Sequence, residues 1–66
     1  MQIQVNGDKV EIQEGATIST LVEQMELSGR RLAVELNLEI VPRSQHAEAA
    51  LSAGDRVEIV HAIGGG

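Results

Sequence analysis

The sequence contains no cysteine, and this absence narrows the chemistry that its side chains can perform. Without thiols the chain has no disulfide framework, no thiolate metal site and no thiol that could carry sulfur or an acyl group. A small domain without disulfides is compatible with a reducing compartment.

Phenylalanine, tyrosine and tryptophan are absent as well, and the formal net charge is −5. A net acidic chain repels nucleic-acid phosphates, and it offers no aromatic ring on which a base could stack. We therefore expect no nucleic-acid partner. An acidic surface suits solubility, or steering toward a basic groove on another protein.

The sequence also lacks a long apolar run. Residues Met1 to Val5 alternate apolar and polar side chains and include no basic segment, so we expect neither a signal peptide nor a membrane partner. The expected location is the cytoplasm. A chain of 66 residues has room for one core, which predicts a single domain.

A β-hairpin is predicted at the start of the chain. Met1 to Val5 and Lys9 to Gln13 both alternate, and Asn6-Gly7 joins them. Asn-Gly between two alternating runs favours a type I′ turn, because both of its central residues need a positive φ. With this turn, Ile3 faces Val10 and Met1 faces Ile12, while Gln2 pairs with Glu11 and Gln4 with Lys9.

One amphipathic helix is predicted next. Ile18, Leu21, Val22 and Met25 follow the i, i+3, i+4, i+7 spacing of a helix with one apolar face. Thr17 suits the N-cap position, and Gly29 suits the left-handed position after the helix.

Three further strands and a short helix complete the predicted fold. Leu32 to Asn37 alternates, Ile40 to Arg43 contains the strand-edge residue Pro42, Ser44 caps a short helix that runs to Leu51, and Val57 to Ile63 alternates again. The order β-β-α-β-β-(short α)-β predicts an α+β fold in which a mixed sheet packs on one helix. The last strand is apolar on both faces, which favours a central place in the sheet.

The apolar positions of these elements predict the core. Its expected members are Ile3, Val5, Val10, Ile12, Ile18, Leu21, Val22, Met25, Leu32, Val34, Leu36, Val57 and Ile59. The domain is expected to span residues 1–63, followed by a flexible glycine tail, residues 64–66.

Catalytic and metal-binding patterns are missing. His46 and His61 are too few for a metal site without cysteine, and the alternation of the last strand predicts that His61 is half-buried in a structural role. Ser19 and Thr20 have no base at catalytic spacing. We therefore expect that the chain is not an enzyme and binds no metal.

The end of the sequence, Ile63-Gly64-Gly65-Gly66, follows the last strand without a polar linker. Glycines without Cβ form a thin arm that can enter a narrow partner site and present the α-carboxylate. The alternative is a frayed end or a cloning remnant. Beside the tail, Val60, Ala62 and Leu38 are candidates for an apolar partner surface.

Taken together, these features resemble the small sulfur carrier proteins of thiamine biosynthesis (the ThiS type), in the ubiquitin-like β-grasp group. The likeness covers essentially the whole chain. It rests on the Asn6-Gly7 hairpin, the helix from Thr17 to Met25, Ala33-Val34 to Asn37, Ile40-Val41-Pro42-Arg43, the segment from Gly54-Asp55 to Ile59, and Gly65-Gly66. Gly64 departs from the family pattern, which needs only the last two glycines.

The resemblance implies a function and its partners. An adenylating enzyme of the E1 type, using ATP and Mg, would activate the Gly66 carboxylate, with Gly64 and Gly65 lying in its channel. Sulfur from a persulfide donor would then give a C-terminal thiocarboxylate, which thiazole synthase would use for the thiazole ring of thiamine. On this reading the chain itself binds no cofactor.

Two alternatives stay open at this point. The first is the small sulfur carrier subunit of molybdopterin synthase, whose family is usually longer and richer in aromatic residues. The second is a non-catalytic β-grasp interaction module with an inert tail. Removal of Gly66 separates a carrier, which loses function, from a module, which keeps its partner.

Overall fold

The structure is a computed structural model, and it describes residues 1–61. Its elements follow the predicted order, apart from the short helix. They are β1 (Gln2–Val5), β2 (Asp8–Glu11), α1 (Ile18–Gln24), β3 (Leu32–Leu36), β4 (Glu39–Val41), a 3₁₀ helix (Arg43–Gln45) and β5 (Arg56–His61). No helix in residues 1–61 is long and apolar enough to cross a membrane.

The first hairpin has the predicted turn and register. Asn6 has a φ of 49° and Gly7 a φ of 87°, as a type I′ turn requires. Ile3 pairs with Val10, and the pairs Gln2–Glu11 and Gln4–Lys9 alternate with it. The period-2 pattern and the turn residues therefore specified this ribbon completely.

The five strands form one mixed sheet in the order β2-β1-β5-β3-β4. β5 lies in the centre of the sheet, as predicted. It is parallel to β1 and antiparallel to β3. The prediction assumed that both faces of this strand are covered, and that assumption was wrong. β5 is covered on one face only, because Val57 and Ile59 are buried while Glu58 and Val60 are exposed. Helix α1 covers the buried face, and the opposite face of the sheet is open.

Helix α1 begins as predicted and ends earlier. Thr17 and Thr20 form a capping box, in which the backbone N–H of each residue donates to the hydroxyl of the other. At the other end, Glu26 adopts a left-handed φ of 60°, and its N–H donates to the carbonyl of Glu23. The N–H of Leu27 donates to the carbonyl of Val22, which completes a Schellman motif. The prediction that Gly29 holds this position was wrong.

The predicted short helix from Ser44 to Leu51 is shorter than expected and begins one residue earlier. Arg43–Gln45 form one turn of 3₁₀ helix after Pro42, and hydrogen-bonded turns continue to Ala49. The chain then leaves the helical path, because Ala50 pairs with Thr17. Ile18 donates to the carbonyl of Ala49, and Leu51 donates to the carbonyl of Ala16. These backbone bonds to the start of α1 replace the hydrogen bonds of a continued helix, which had only a thin apolar face to stabilise it.

The core lies between α1 and the covered face of the sheet. Of the predicted members, Ile3, Val5, Ile12, Ile18, Leu21, Val34, Val57 and Ile59 are buried, and Val10, Val22, Met25, Leu32 and Leu36 pack against them half-buried. Ala16 and Leu51 are buried as well and were not predicted. Both lie where the segment around Ala50 crosses the start of α1, so their burial follows from a contact between distant loops.

Candidate functional site

Strand β5 is the element from which the chain continues toward its glycines. Residues 62–66 lie outside the described residues, so the flexible tail and the placements of Ala62, Gly64, Gly65 and Gly66 remain predictions. The structure does show how the strand that precedes them is held. β5 has a paired strand on each side, and its side chains Val57 and Ile59 lie in the core.

Two asparagines tie β5 to the turns beside it. The side-chain amide of Asn6 donates to the carbonyl of Ile59 at 3.0 Å, and its Oδ1 accepts from the N–H of Ile59 at 2.7 Å. Asn37 Oδ1 accepts from the N–H of Arg56 at 3.0 Å, and the N–H of Asn37 donates to the carbonyl of Arg56 at 2.8 Å. Both asparagines have a φ of 49° at the first position of a hairpin turn. β5 is thus fixed near both of its ends.

Two of the predicted surface residues, Val60 and Leu38, are exposed but lie apart. Val60 is 58% exposed on the open face near the end of β5, and Leu38 is 83% exposed in the β3–β4 turn. That turn lies beside Arg56, because Asn37 bonds to it. Four residues of strand separate Arg56 from Val60, a distance of about 13 Å at the usual rise of a strand. The structure therefore does not bring Leu38 next to Val60.

Ile40 is the exposed apolar side chain of β4 on the open face, but it lies two strands away from Val60, with β3 between them. Its side chain is 73% exposed in β4, opposite Glu35 of β3. Ala33 of β3 pairs with Val60. It is two residues before Glu35, the partner of Ile40, so it lies on the diagonal between Ile40 and Val60. The apolar Ile-Val pattern before Pro42 was a signal for this strand, but the sequence does not show on which face of the sheet Ile40 lies.

Two carboxylates lie next to these apolar residues. Glu35 of β3 pairs directly with Glu58 of β5, and Ile40 lies on the other side of Glu35. We call Ala33, Glu35, Ile40, Glu58 and Val60 the open-face patch. Sequence reasoning missed the two glutamates because their pairing depends on the register of distant strands.

The two histidines have different surroundings. His46 is buried, with Nε2 3.0 Å from the carbonyl oxygen of Val41, so this ring nitrogen donates to a strand carbonyl. His61 is exposed at the end of β5, so the prediction of a half-buried His61 was wrong. The alternation of β5 places His61 on the helix side, but strand phase does not show how far along β5 the cover extends. Within residues 1–61, no three His, Cys, Asp or Glu side chains are grouped to hold a metal ion.

The hydroxyls of α1 have structural surroundings. Thr20 Oγ1 accepts from the N–H of Thr17 as part of the helix cap. The backbone N–H of Ser19 donates to the carbonyl of His46, and both residues line one surface cavity. Among residues 1–61, no hydrogen bond joins the Ser19 hydroxyl to the imidazole, whose Nε2 bonds to Val41 instead. The His46 imidazole is therefore not positioned to activate the Ser19 hydroxyl.

Comparisons with known proteins agree with this architecture. Two thiazole synthases match the whole chain, from Paramagnetospirillum magneticum at 41% identity and from Magnetococcus marinus at 33%. The chain spans about a fifth of the length of each of these relatives. The sulfur carrier protein ThiS of Escherichia coli is 33% identical over 66 residues, which are all of both chains.

A solved structure and a family model extend the comparison. The crystal structure of the thiamine biosynthesis protein ThiS from Geobacter metallireducens superposes with a TM-score of 0.86, at 28% identity and with all of both chains covered. This likeness confirms the predicted ubiquitin-like β-grasp fold. The model of the ThiS family matches residues 2–66. The chain therefore belongs to the ThiS family.

Proposed function

We propose that this chain is a sulfur carrier for the thiazole ring of thiamine, and that Gly66 carries the sulfur. The observation that supports this most strongly is the extent of the family match, which runs from residue 2 to residue 66 and so includes Gly65 and Gly66. Sulfur carrier proteins of two bacteria share the full length of the chain or nearly so, that of Bacillus subtilis at 35% identity over 65 residues.

The first step is activation of the carboxylate. A partner enzyme of the E1 type binds ATP and Mg, and a carboxylate oxygen of Gly66 attacks the α-phosphorus, with pyrophosphate as the leaving group. The resulting acyl adenylate has a good leaving group in AMP, which a free carboxylate lacks. The chain contributes only its terminus to this step, so catalysis belongs to the partner.

The second step places sulfur on the carrier. The terminal sulfur of a persulfide donor attacks the acyl carbon and displaces AMP, and a thiol then cleaves the acyl disulfide to leave the thiocarboxylate. The absence of cysteine from the chain is compatible with this scheme, because the sulfur is carried by the backbone terminus. Thiazole synthase then takes the sulfur for the ring.

The described fold supports a carrier because it holds the strand before the tail firmly. Bonds from Asn6 and Asn37 fix β5 near both ends, and the two neighbouring strands fix it along its length. A channel that encloses the carboxylate then needs to order only the few residues beyond β5. Ordering fewer residues lowers the entropic cost of binding.

The proposal is tested by the intact mass of the protein isolated from its native host. The expected result is a population heavier by the exchange of one oxygen for one sulfur, with fragmentation that localises the change to Gly66. A chain that lacks Gly66 is the control and should stay unmodified. Full support of thiamine synthesis by the shortened chain would contradict the carrier function and favour an interaction module.

A further inference from the structure

The open-face patch combines like charges with exposed apolar groups. Glu35 and Glu58 are direct partners on adjacent antiparallel strands, where Cβ atoms are roughly 4.5–5.5 Å apart. Both side chains point away from the core, because their strand neighbours Val34, Val57 and Ile59 are buried under α1. Two carboxylates at this spacing repel each other in the free protein.

The described part of the chain forms no ion pair with these two carboxylates, although Arg56 lies on the same face of β5, two positions before Glu58. Within residues 1–61, the ion pairs join the N-terminus to Glu11 and Glu14, and none involves Glu35 or Glu58. A single guanidinium or ammonium group placed between the two carboxylates would relieve their repulsion. Arginine suits this position best, because its planar group can donate to two carboxylates at once.

Apolar side chains border the pair on two sides. On one side, Ile40 of β4 pairs with Glu35 of β3. On another side, Ala33 of β3 and Val60 of β5 form the next pair toward the end of β5. Ile40 and Val60 are two of the three large apolar side chains that are strongly exposed within residues 1–61. An apolar border excludes water from a central charge pair, as at the energetically dominant points of protein interfaces.

We propose that the open-face patch docks thiazole synthase, and that an arginine or lysine of that enzyme binds between Glu35 and Glu58. This inference rests on the proposed function. The choice of partner comes from the two thiazole synthases that contain a region similar to this whole chain in about a fifth of their length. A carrier-like region and the enzyme thus occur in one polypeptide, which favours contact between their counterparts in separate chains.

Chain length and charge agree with this occupant. Six peptide units join Val60 to Gly66, and an extended chain of that length spans at most about 20 Å. An enzyme that holds the patch can therefore also hold the glycine terminus. A second copy of this chain fits the patch poorly, because a two-fold contact through the same face would bring the carboxylates of both copies together.

The test compares two matched double variants in binding to purified thiazole synthase from the same organism. E35Q/E58Q removes both charges of the patch while keeping side-chain volume. E23Q/E48Q removes the same number of charges from exposed positions in α1 and in the loop before Leu51. Binding is measured by calorimetry at two salt concentrations, and folding by thermal unfolding.

The expected result is that E35Q/E58Q weakens binding about tenfold or more and lowers its salt dependence, since a close charge pair across an interface is lost. E23Q/E48Q should bind within about twofold of the wild type, because both positions lie away from the open face and salt screens charges that are far from the contact. The thermal midpoint of E35Q/E58Q should equal or exceed that of the wild type, because repulsion between strands is removed. A purely structural role of the glutamates would lower the midpoint instead.

Three results would overturn the inference: equal binding by the wild type and E35Q/E58Q, an equal loss in both double variants, and no binding by the wild type. Sedimentation of the free chain adds a fourth, because self-association that E35Q/E58Q abolishes would identify a second copy as the occupant. Pyrophosphate exchange by the wild type with its activating enzyme tests the proposed function separately. Normal exchange together with any of these results leaves the carrier function standing and removes only the docking surface.

Discussion

The side chain of Asn6 forms both of its hydrogen bonds with the backbone of Ile59, 53 positions later in the sequence. β1 ends at Val5, and the chain turns away toward β2. The Asn6 amide then takes the place of the next residue in the parallel ladder, since it offers one donor and one acceptor to β5 as a peptide group would. A residue predicted for its turn conformation thus also anchors the central strand.

Replacement of Asn6 by glycine should separate these two roles. Glycine keeps the left-handed turn but loses both bonds to Ile59, so we expect a loss of about 1–3 kcal/mol of unfolding free energy. Asn6→Asp keeps the acceptor for the Ile59 N–H but places a carboxylate oxygen against the Ile59 carbonyl, so it should be destabilising as well. Urea denaturation measures the loss, and hydrogen exchange should show a less protected Ile59 amide in Asn6→Gly. Unchanged protection at Ile59 would show that the side-chain bonds contribute nothing.

Replacement of Leu21 by alanine should destabilise the domain strongly. Leu21 is fully buried between α1 and the sheet, so the cavity should cost roughly 2–5 kcal/mol. This loss is a large share of the roughly 3–10 kcal/mol that a domain of this size has, so the denaturation midpoint should fall clearly. Leu38→Ala is the control, since Leu38 is exposed and should leave the midpoint unchanged. Similar midpoints for both variants would contradict the packing of α1.

Replacement of Leu38 by glycine should stabilise the protein. Leu38 has a φ of 73°, where its Cβ is strained, at the second position of a turn that favours Asn-Gly. Relief of this strain exceeds the extra entropy of glycine in the unfolded chain, so we expect a gain of about 0.5–1 kcal/mol. Leu36→Gly in the adjacent strand should be destabilising in the same denaturation assay. A lower midpoint for Leu38→Gly would show that its exposed side chain stabilises the turn.

Substitutions in the glycine tail should affect activation according to their distance from Gly66. Gly65→Val adds a branched side chain next to the reacting carboxylate, and small misplacements there can cost about 10²-fold in rate. Gly64→Ala should be milder, because it is farther from the chemistry. The assay is ATP–pyrophosphate exchange with the activating enzyme, with the chain that lacks Gly66 as the inactive reference. Equal rates for wild type and Gly65→Val would rule out a narrow channel.

Much of the fold could be predicted from local sequence patterns. The first hairpin follows from alternation around Asn6-Gly7, and the start of α1 follows from the cap residue Thr17. The end of α1 could not be predicted, because the left-handed residue is Glu26, which has no sequence preference for that conformation. The helix after Ser44 is shorter than predicted for another reason, since contacts with residues 16–18 outweigh helix propensity from Ala49 to Leu51.

The candidate site depends more on long-range pairing than the fold does. The central place of β5 was predicted from its composition, and its buried side chains Val57 and Ile59 were predicted from its alternation. The opposition of Glu35 and Glu58 and the neighbouring position of Ile40 depend on register between β3, β4 and β5. A single sequence contains no local signal for that register. The bonds from Asn6 to Ile59 were not predicted, because the type I′ turn already accounted for an asparagine at this position.

The strand order also has a consequence for how the molecule assembles. The hairpins β1–β2 and β3–β4 each form from residues close in sequence, and within the described sheet they are joined only through β5. Hairpins form within microseconds, whereas β5 must close a loop of about fifty residues onto β1. During synthesis on the ribosome, the sheet therefore cannot close before residues 56–61 have emerged. The strand that completes the sheet, β5, is therefore also the strand that leads to Gly66.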